Sequence, residues 1–395
     1  MHNVASYAED HGGLVTRATT AQKLIMAPKA RLRGYRDTPP LAGRRPTAIR
    51  ATTQPWTGLA GLAVITPVAI LLAVSLGDVE DTALVLGPLT TFALPALATI
   101  AFWWQDWPGA SLRAGWAGLT DTLLVAGAGV VFTALGQAVV TGLDLRGVFL
   151  ADPGPGHPVT YPATMGLAGA AFTAMLQLTL VTEGWPLRGL GRIRSGVAAL
   201  VLSWVVALAA WLLLVDPGPI TRLSRETFGI WLIVLGAWQV VFFVVLHGRP
   251  FTLITRRAVR LVTSNVALLA LTAITYAVLR ASGAGDGLIG ALSGVVVGAG
   301  LVVAMLFDGW PATRLAKGAD GVSLAATAVL SVVLYVGLDV LARTAHLHRI
   351  DELSWITLAG LNFVGMVVIL HVAVWRRWPV PVRAEPEHQE VAHAA

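Results

Sequence analysis

The stretch Asp308-Gly309-Trp310-Pro311 ends one long apolar run and comes shortly before the next. Four related stretches hold similar positions: Gln105-Asp106-Trp107-Pro108, Glu183-Gly184-Trp185-Pro186, His247-Gly248-Arg249-Pro250 and Arg376-Arg377-Trp378-Pro379. Their prolines are separated by 78, 64, 61 and 68 residues, enough for two membrane-crossing helices with their connections. We therefore predict a chain that crosses a membrane repeatedly, with one of these Trp-Pro-type turns after every second crossing.

The composition predicts the same class of protein. Of the 395 residues, 55% are hydrophobic and 13% are charged, and the mean hydropathy is +0.71. A soluble domain carries roughly twice that share of charged residues. The chain has no cysteine, which excludes disulfides, thiolate metal sites and cysteine nucleophiles.

Ten apolar segments have about the length that crosses a bilayer core. They are 57–76, 83–104, 117–142, 163–182, 195–215, 228–247, 261–280, 287–307, 322–342 and 355–375. The predicted fold is all-α, a polytopic integral membrane protein of about ten transmembrane helices. Two crossings per unit keep successive units in one orientation, so we predict five parallel-oriented helical-hairpin repeats, each ending in a Trp-Pro-type turn.

The distribution of Lys and Arg predicts the orientation. The N-terminal tail, the four internal Trp-Pro-type turns and the C-terminal end hold 22 of them, and the five alternate loops hold 6. Positive residues stay on the cytoplasmic side, so both termini and every Trp-Pro-type turn are predicted to be cytoplasmic. The richness in Ala, Gly, Val, Leu and Arg suggests a bacterial gene, hence an inner-membrane location.

Two tails flank the predicted transmembrane domain of residues 56–378. Residues 1–55 are basic and residues 379–395 are polar, and both are predicted to be disordered and cytoplasmic. The basic tail could lie on anionic lipid of the inner leaflet. The alternatives are a tail whose arginines only fix the topology, or one lengthened by a start codon upstream of the true one, with Met26 as a candidate.

The turns also supply candidate site residues. Three positions before the proline stand side chains that can titrate or form hydrogen bonds, and we predict a cytoplasmic vestibule formed by Gln105, Glu183, His247 and Asp308. The alternative is that polar residues at this depth simply face headgroups and water. A basic residue recurs six positions after the proline, and Arg192, Arg256 and Lys317 are predicted to contact lipid phosphate.

Polar residues within the apolar segments are rare. Asp121, Gln177, Gln239 and Asn362 are predicted to line a path through the membrane. Alternatively, the amides bridge helices by hydrogen bonds and Asp121 reaches water near a helix end. Gly290, Gly294 and Gly298 form a GxxxGxxxG stripe that predicts close helix packing, against another part of the chain or another subunit.

No catalytic motif and no cofactor site is found: the chain lacks a Walker A loop, an HExxH helix and a GxSxG elbow. The segment 346–352 contains two His and two acids, which is a Zn²⁺-like composition, but Arg349 opposes a cation and no metal site is predicted. The predicted partners are the bilayer, anionic inner-leaflet lipid and a second copy or a membrane subunit. Nucleic acid is not expected, because the positive charge follows the topology.

Two functions fit these patterns. The first is a permease or facilitator for a small or amphiphilic solute, which requires water to reach mid-membrane positions. The second is a non-catalytic membrane scaffold or subunit, which requires a dry core. A membrane-embedded lipid-modifying enzyme is a third, which would need titratable groups converging at one membrane face.

Overall fold

The computed structural model describes residues 54–215, 223–315 and 317–380. Most of the predicted tails, residues 1–53 and 381–395, therefore lie outside the described residues. Every regular element in the described ranges is a helix. The chain is thus all-helical where it is described, as the sequence predicted.

Nine helices in the described ranges are long and apolar enough to cross a membrane, and a tenth apolar helix is shorter. In chain order the ten are α1 Trp56–Ala73, α2 Val79–Trp103, α3 Ala114–Val140, α4 Met165–Val181 (the shorter one), α5 Arg192–Leu214, α6 Arg225–Val245, α7 Arg257–Ala281, α8 Asp286–Leu306, α9 Ala319–Thr344 and α10 Glu352–Val374. Their ends fall within a few residues of the predicted segments. The length and composition of these helices indicate a polytopic membrane protein.

Burial divides the helices into two sets. In α2, α6, α8 and α10, between 56% and 78% of the apolar stretch is buried, whereas in the odd-numbered helices the share is 11% to 28%. Helix α4 belongs with the buried set, because its Leu167, Ala168 and Ala171 are fully buried. We call the even-numbered helices inner and the odd-numbered helices outer.

The inner helices form a ring in chain order. Neighbouring inner helices contact each other beginning to beginning and end to end. Where the helices begin, Thr227 of α6 donates to Asp286 of α8 at 3.0 Å. Where they end, the Trp103 indole of α2 donates to Thr179 of α4 at 2.9 Å. The inner helices therefore run parallel. We call the end at which they begin the loop end and the end with the Trp-Pro-type turns the turn end.

The outer helices cover the ring from outside, and each follows its inner helix through a Trp-Pro-type turn. Helix α7, for example, packs on α6, and the Trp238 indole donates to Thr275 at 3.1 Å. Helix α1 has no inner helix before it. It packs on the turn-end halves of α8 and α10, where Gly58 faces Phe307 and Gly61 faces Leu306 and His371. The first helix of the chain thus occupies the outer position that follows the last inner helix.

The five Trp-Pro-type turns share one backbone conformation. Each inner helix ends in a π-helical segment of five or six residues, and each turn then has two successive residues with positive φ before a cis X-Pro bond. Gly184, Gly248 and Gly309 hold the second left-handed position, with φ of 76°, 83° and 71°. Asp106 and Arg377 hold it in the other two turns, although they are not glycine. A left-handed residue after a helix ends it and reverses the chain.

Candidate functional site

A cavity of about 660 Å³ lies inside the ring of inner helices. All five inner helices line it, through residues spaced three, four or seven apart. The loop-end lining is Tyr161, Arg225, Glu226, Arg349, Asp351 and Ser354; the turn-end lining is Phe102, Leu180, Val244, Met305 and Ile369. We call these two sets the mouth and the floor of the cavity.

Glycines leave the space that the cavity occupies. Gly229 and Gly236 lie seven residues apart on α6, and both line the cavity. A Cβ added at either would have its nearest heavy atom 3.9 Å away. Each position therefore has room for a side chain, and a larger residue there would fill the cavity without displacing packed neighbours.

The wall between mouth and floor is apolar apart from a few polar side chains. Asn362 of α10 donates to the Thr91 hydroxyl of α2 at 3.0 Å, and Thr91 in turn donates to the Gly87 carbonyl at 2.7 Å. Asn362 and Thr91 both line the cavity. Of the four predicted path-lining residues, Asn362 is thus the one that faces this space.

The floor is apolar and comes from corresponding parts of the inner helices. Phe102, Leu180, Val244 and Met305 lie in the π-helical segments of their helices, and Ile369 directly precedes one. A π-helical turn holds one residue more than an α-helical turn and is found frequently at functional positions. The cavity ends where the helix geometry changes.

The mouth is charged and accessible. Arg225, Glu226, Arg349 and Asp351 are all exposed. Tyr161 reaches it from the long loop before α4, which a hydrogen bond between the Asp144 and His157 side chains braces at 2.5 Å. The cavity therefore joins an apolar interior to a polar opening at the loop end. An apolar pocket with few polar groups is the usual form of a small-molecule site.

Gln177 and Gln239 lie in the contacts between helices. Gln239 donates to the Gln177 side chain at 2.6 Å, and Gln177 donates to Asn265 of the outer helix α7 at 2.7 Å. The amides connect α6, α4 and α7, which is the bridging alternative that the sequence left open. Neither is among the residues that line the cavity.

Asp121 is fully buried in the outer helix α3. Its Oδ1 accepts the Gly109 backbone N–H at 3.0 Å, and its Oδ2 has no hydrogen-bond partner. The carboxylate thus holds the turn that joins α2 to α3, away from the cavity. Its predicted place on a path does not correspond to the cavity found here.

The four predicted vestibule residues lie at the turn end. Glu183 pairs with Arg260 at 2.7 Å and with Arg257 at 3.3 Å, while Asp308 pairs with Arg377 at 2.6 Å. Gln105 and His247 are exposed. These residues lie below the floor and none lines the cavity. A shared vestibule remains a prediction.

Arg377 is a structural residue that the sequence did not single out. It is 3% exposed, and its guanidinium donates to the Met305 and Leu306 carbonyls at 2.7 and 3.1 Å as well as to Asp308. These carbonyls belong to the π-helical end of α8. Arg377 therefore joins the turn after α10 to the end of α8 directly below the floor.

The remaining predicted residues fall into two groups. Arg192, Arg256 and Lys317 are exposed at the turn end, where lipid phosphate would lie if the orientation is as predicted. The glycine stripe packs within the chain: a Cβ at Gly294 would lie 3.1 Å from the Thr357 carbonyl oxygen of α10. Gly298 faces the same helix, and Gly290 lies between Ile230 of α6 and Thr357 of α10.

The segment before α10 also has a structural role. Glu80 accepts the backbone N–H groups of His348 at 2.8 Å and Ile350 at 2.9 Å, and that of Arg349 between them.

Among the described residues, no group of three or more His, Asp or Glu side chains is placed to hold a metal ion.

Searches against protein-family models, curated proteins and solved structures found no match to this chain. The geometry of the cavity is therefore the basis for a functional proposal.

Proposed function

We propose that the protein is a membrane permease that binds an amphiphilic solute in the central cavity, in a state open at the loop end and closed at the floor. The observation that carries the proposal is the apolar cavity beneath a charged, exposed mouth. Its volume of about 660 Å³ lies within the range of small-molecule sites, which is roughly 300–1,000 Å³. A solute would place its apolar part in the cavity and its polar part at the mouth.

The proposal includes an orientation. The 22-to-6 division of Lys and Arg favours a cytoplasmic turn end with both termini inside, in a bacterial inner membrane. The ten helices would form five hairpin repeats of like orientation, each an outer helix followed by an inner helix and ending in a Trp-Pro-type turn. The mouth would then face outward and the floor would face the cytoplasm, next to anionic lipid at Arg192, Arg256 and Lys317.

Transport requires the floor to open. The five floor residues are apolar, so separating them would expose the cavity to the turn end without breaking an ion pair between them. The location of the floor residues at the π-helical segments supports an opening at this level. Converting such a segment to α-helix would rotate the residues that follow it. A scaffold would keep the floor closed permanently.

The absence of cysteine allows a direct test of access. The single variant Asn362→Cys should react with a membrane-impermeant thiol reagent from the loop end, and more slowly from the turn end as the floor opens. Gln239→Cys is the matched control, since Gln239 is equally buried but does not line the cavity. Gly285→Cys and Lys317→Cys report the two sides of the membrane in right-side-out and inverted vesicles.

Each outcome separates the candidate functions. Labelling of the Asn362→Cys variant from both sides, blocked by an added Gly236→Leu, supports the permease. Labelling of that variant from the loop end alone would favour a ligand-binding scaffold over a permease. No labelling of it from either side would mean a dry core and would overturn the proposed binding site. Labelling of the Lys317→Cys variant from outside would reverse the orientation.

A further inference from the structure

The charged side chains at the mouth differ in whether other groups of the protein engage them. Arg349 forms an ion pair with Asp81 and lies 3.8 Å from the Glu80 carboxylate. The Arg225 guanidinium lies over the Trp211 ring, 5.7 Å from its centroid. Both cations at the mouth are therefore already engaged by groups of the protein.

The two carboxylates at the mouth have no such partners. Asp351 accepts the Ser354 backbone N–H at 2.9 Å and caps α10, but within the described residues it forms no ion pair. Glu226, in the first turn of α6, forms no ion pair there either. When Glu80 and Asp81 are counted beside Arg349, four carboxylates stand against two guanidinium groups around the mouth, so the local balance is negative.

Tyr161 lines the same opening as these two carboxylates. Burial, together with the nearby carboxylates of Asp351 and Glu226, raises the pKa of the Tyr161 phenol to about 12. Tyr161 also lines the cavity, so the carboxylates, the ring and the apolar wall adjoin one another. An aromatic face beside carboxylates is a favourable environment for an organic cation.

The loop end as a whole has the same sign. The sequence places ten acids in its loops against six Lys and Arg: Asp78, Glu80, Asp81, Asp144, Asp152, Asp216, Glu226, Asp286, Asp351 and Glu352. A negative surface around a cleft raises the local concentration of cations and speeds their association. The cavity below would then accept the apolar part, with Phe102 and Phe172 offering ring contacts.

We infer that the cavity selects lipophilic organic cations, with Glu226 and Asp351 holding the positive centre beside Tyr161 and the apolar body in the wall beneath. The inference rests on the proposed function, since it names the class of solute for the same cavity. It assigns Glu226 and Asp351 as the residues that determine charge specificity.

Two probes of nearly equal size and opposite charge test the inference. Tetraphenylphosphonium and tetraphenylborate each carry four phenyl groups, and saturable binding of each to the full-length protein in phosphatidylcholine nanodiscs is measured above that of empty nanodiscs. We expect the phosphonium to bind at least about tenfold more tightly than the borate. The double variant Glu226→Gln/Asp351→Asn should lose most of this preference, and the Asn side chain preserves the cap of α10.

Matched variants separate the local contact from the general field. Asp152→Asn/Glu352→Gln removes two charges from exposed loop-end residues that do not line the cavity. It should leave the preference within about twofold of the wild-type value. An equal loss in both double variants would overturn the assignment to Glu226 and Asp351.

The test also distinguishes this inference from the function beneath it. Gly236→Leu should abolish saturable binding of the phosphonium, and Gly337→Leu on the outer helix α9, where a Cβ meets no atom within 4 Å, should not. Equal binding of both probes, abolished by Gly236→Leu, would overturn the charge selectivity and leave the cavity as a binding site. Binding that Gly236→Leu does not change would overturn both.

Discussion

Helix α10 contacts its two neighbours in the inner ring in different ways. Towards α8 the contact is close and almost without side chains: a Cβ at Gly298 would lie 2.9 Å from the Gly360 carbonyl oxygen. Towards α2 the contact includes, besides apolar packing, polar groups at three levels: Glu80 at the loop end, Asn362 in the middle and the Asp106–Arg376 pair, at 3.4 Å, at the turn end. We call these the glycine seam and the polar seam.

The difference indicates which contact can open. Backbone packing through glycine depends on shape along the whole helix, and nothing in a membrane replaces it at equal density. The polar seam has fewer backbone contacts and relies in part on directional bonds, and water can replace those near the ends. The polar seam also joins the first and last inner helices, so chain connectivity does not hold it closed. We expect the ring to loosen at the polar seam first.

The largest effect should come from the glycine seam. Gly294→Leu would drive a side chain into the Thr357 backbone of α10 and cost about 3 kcal/mol of stability, with loss of a sharp unfolding transition. Thermal unfolding in mixed lipid–detergent micelles measures this. Gly337→Leu faces open space on α9 and should change the midpoint little. Similar midpoints for the two variants would show that the glycine seam does not hold the ring together.

The sequence predicted close packing at the glycine stripe, but neither its partner helix nor the ring that contains it. A GxxxGxxxG stripe has one common meaning in a membrane helix, so Gly290, Gly294 and Gly298 could be assigned to packing. The division into inner and outer helices leaves no such signal. Helices α2 and α7 have the same mean hydropathy of 1.8, yet 78% of the first and 17% of the second is buried. Lipid and protein interior are equally apolar, so hydropathy cannot distinguish them.

The sequence likewise identified one residue of the cavity lining but not the cavity itself. Asn362 was identified because amides are rare in apolar segments, and it lines the cavity. Gln177 and Gln239 gave the same signal and bridge helices instead, because the helix rotation decides the outcome. Glu226 and Asp351 resembled ordinary loop acids. Only the fold shows that the beginnings of α6 and α10 converge on one opening.

A smaller effect is expected at the loop end of the polar seam. Glu80→Gln keeps the side-chain length but removes the charge that holds three backbone N–H groups, and we expect a loss of about 2 kcal/mol. Hydrogen–deuterium exchange should then quicken at His348, Arg349 and Ile350, whose amides would donate to a neutral and weaker acceptor. Exchange across α8 should not change, because the glycine seam is intact.

The Asp339–Arg343 pair, in which the arginine is exposed and the aspartate partly so, provides the control for Glu80. These residues are four apart on the outer helix α9, and Arg343 is 66% exposed. Asp339→Asn should cost less than about 0.5 kcal/mol, as is typical of surface pairs. If Glu80→Gln changed stability no more than this, the polar seam would depend on its middle and turn-end contacts instead.

The smallest effect is expected in the middle of the polar seam, where adjacent threonines allow a close comparison. Thr91 donates to its own helix at Gly87 and accepts from Asn362, whereas Thr90, as far as the described residues go, bonds its own helix alone, at Leu86 and Gly87. Thr91→Val removes the hydroxyl that joins the two helices, leaves Asn362 the longer 3.4 Å bond to the Gly87 carbonyl, and should cost about 0.6 kcal/mol, the average for such bonds in membranes. Thr90→Val removes an equivalent hydroxyl and leaves the bond between helices in place, so the difference between the two unfolding midpoints measures the contribution of that bond.

If the polar seam opens, Thr91→Val should also quicken hydrogen–deuterium exchange in α2 without changing exchange in α6. Equal unfolding midpoints and equal exchange rates in α2 for the two variants would contradict this expectation. They would mean that the Asn362–Thr91 bond does not stabilise the polar seam, which is then held by its two ends.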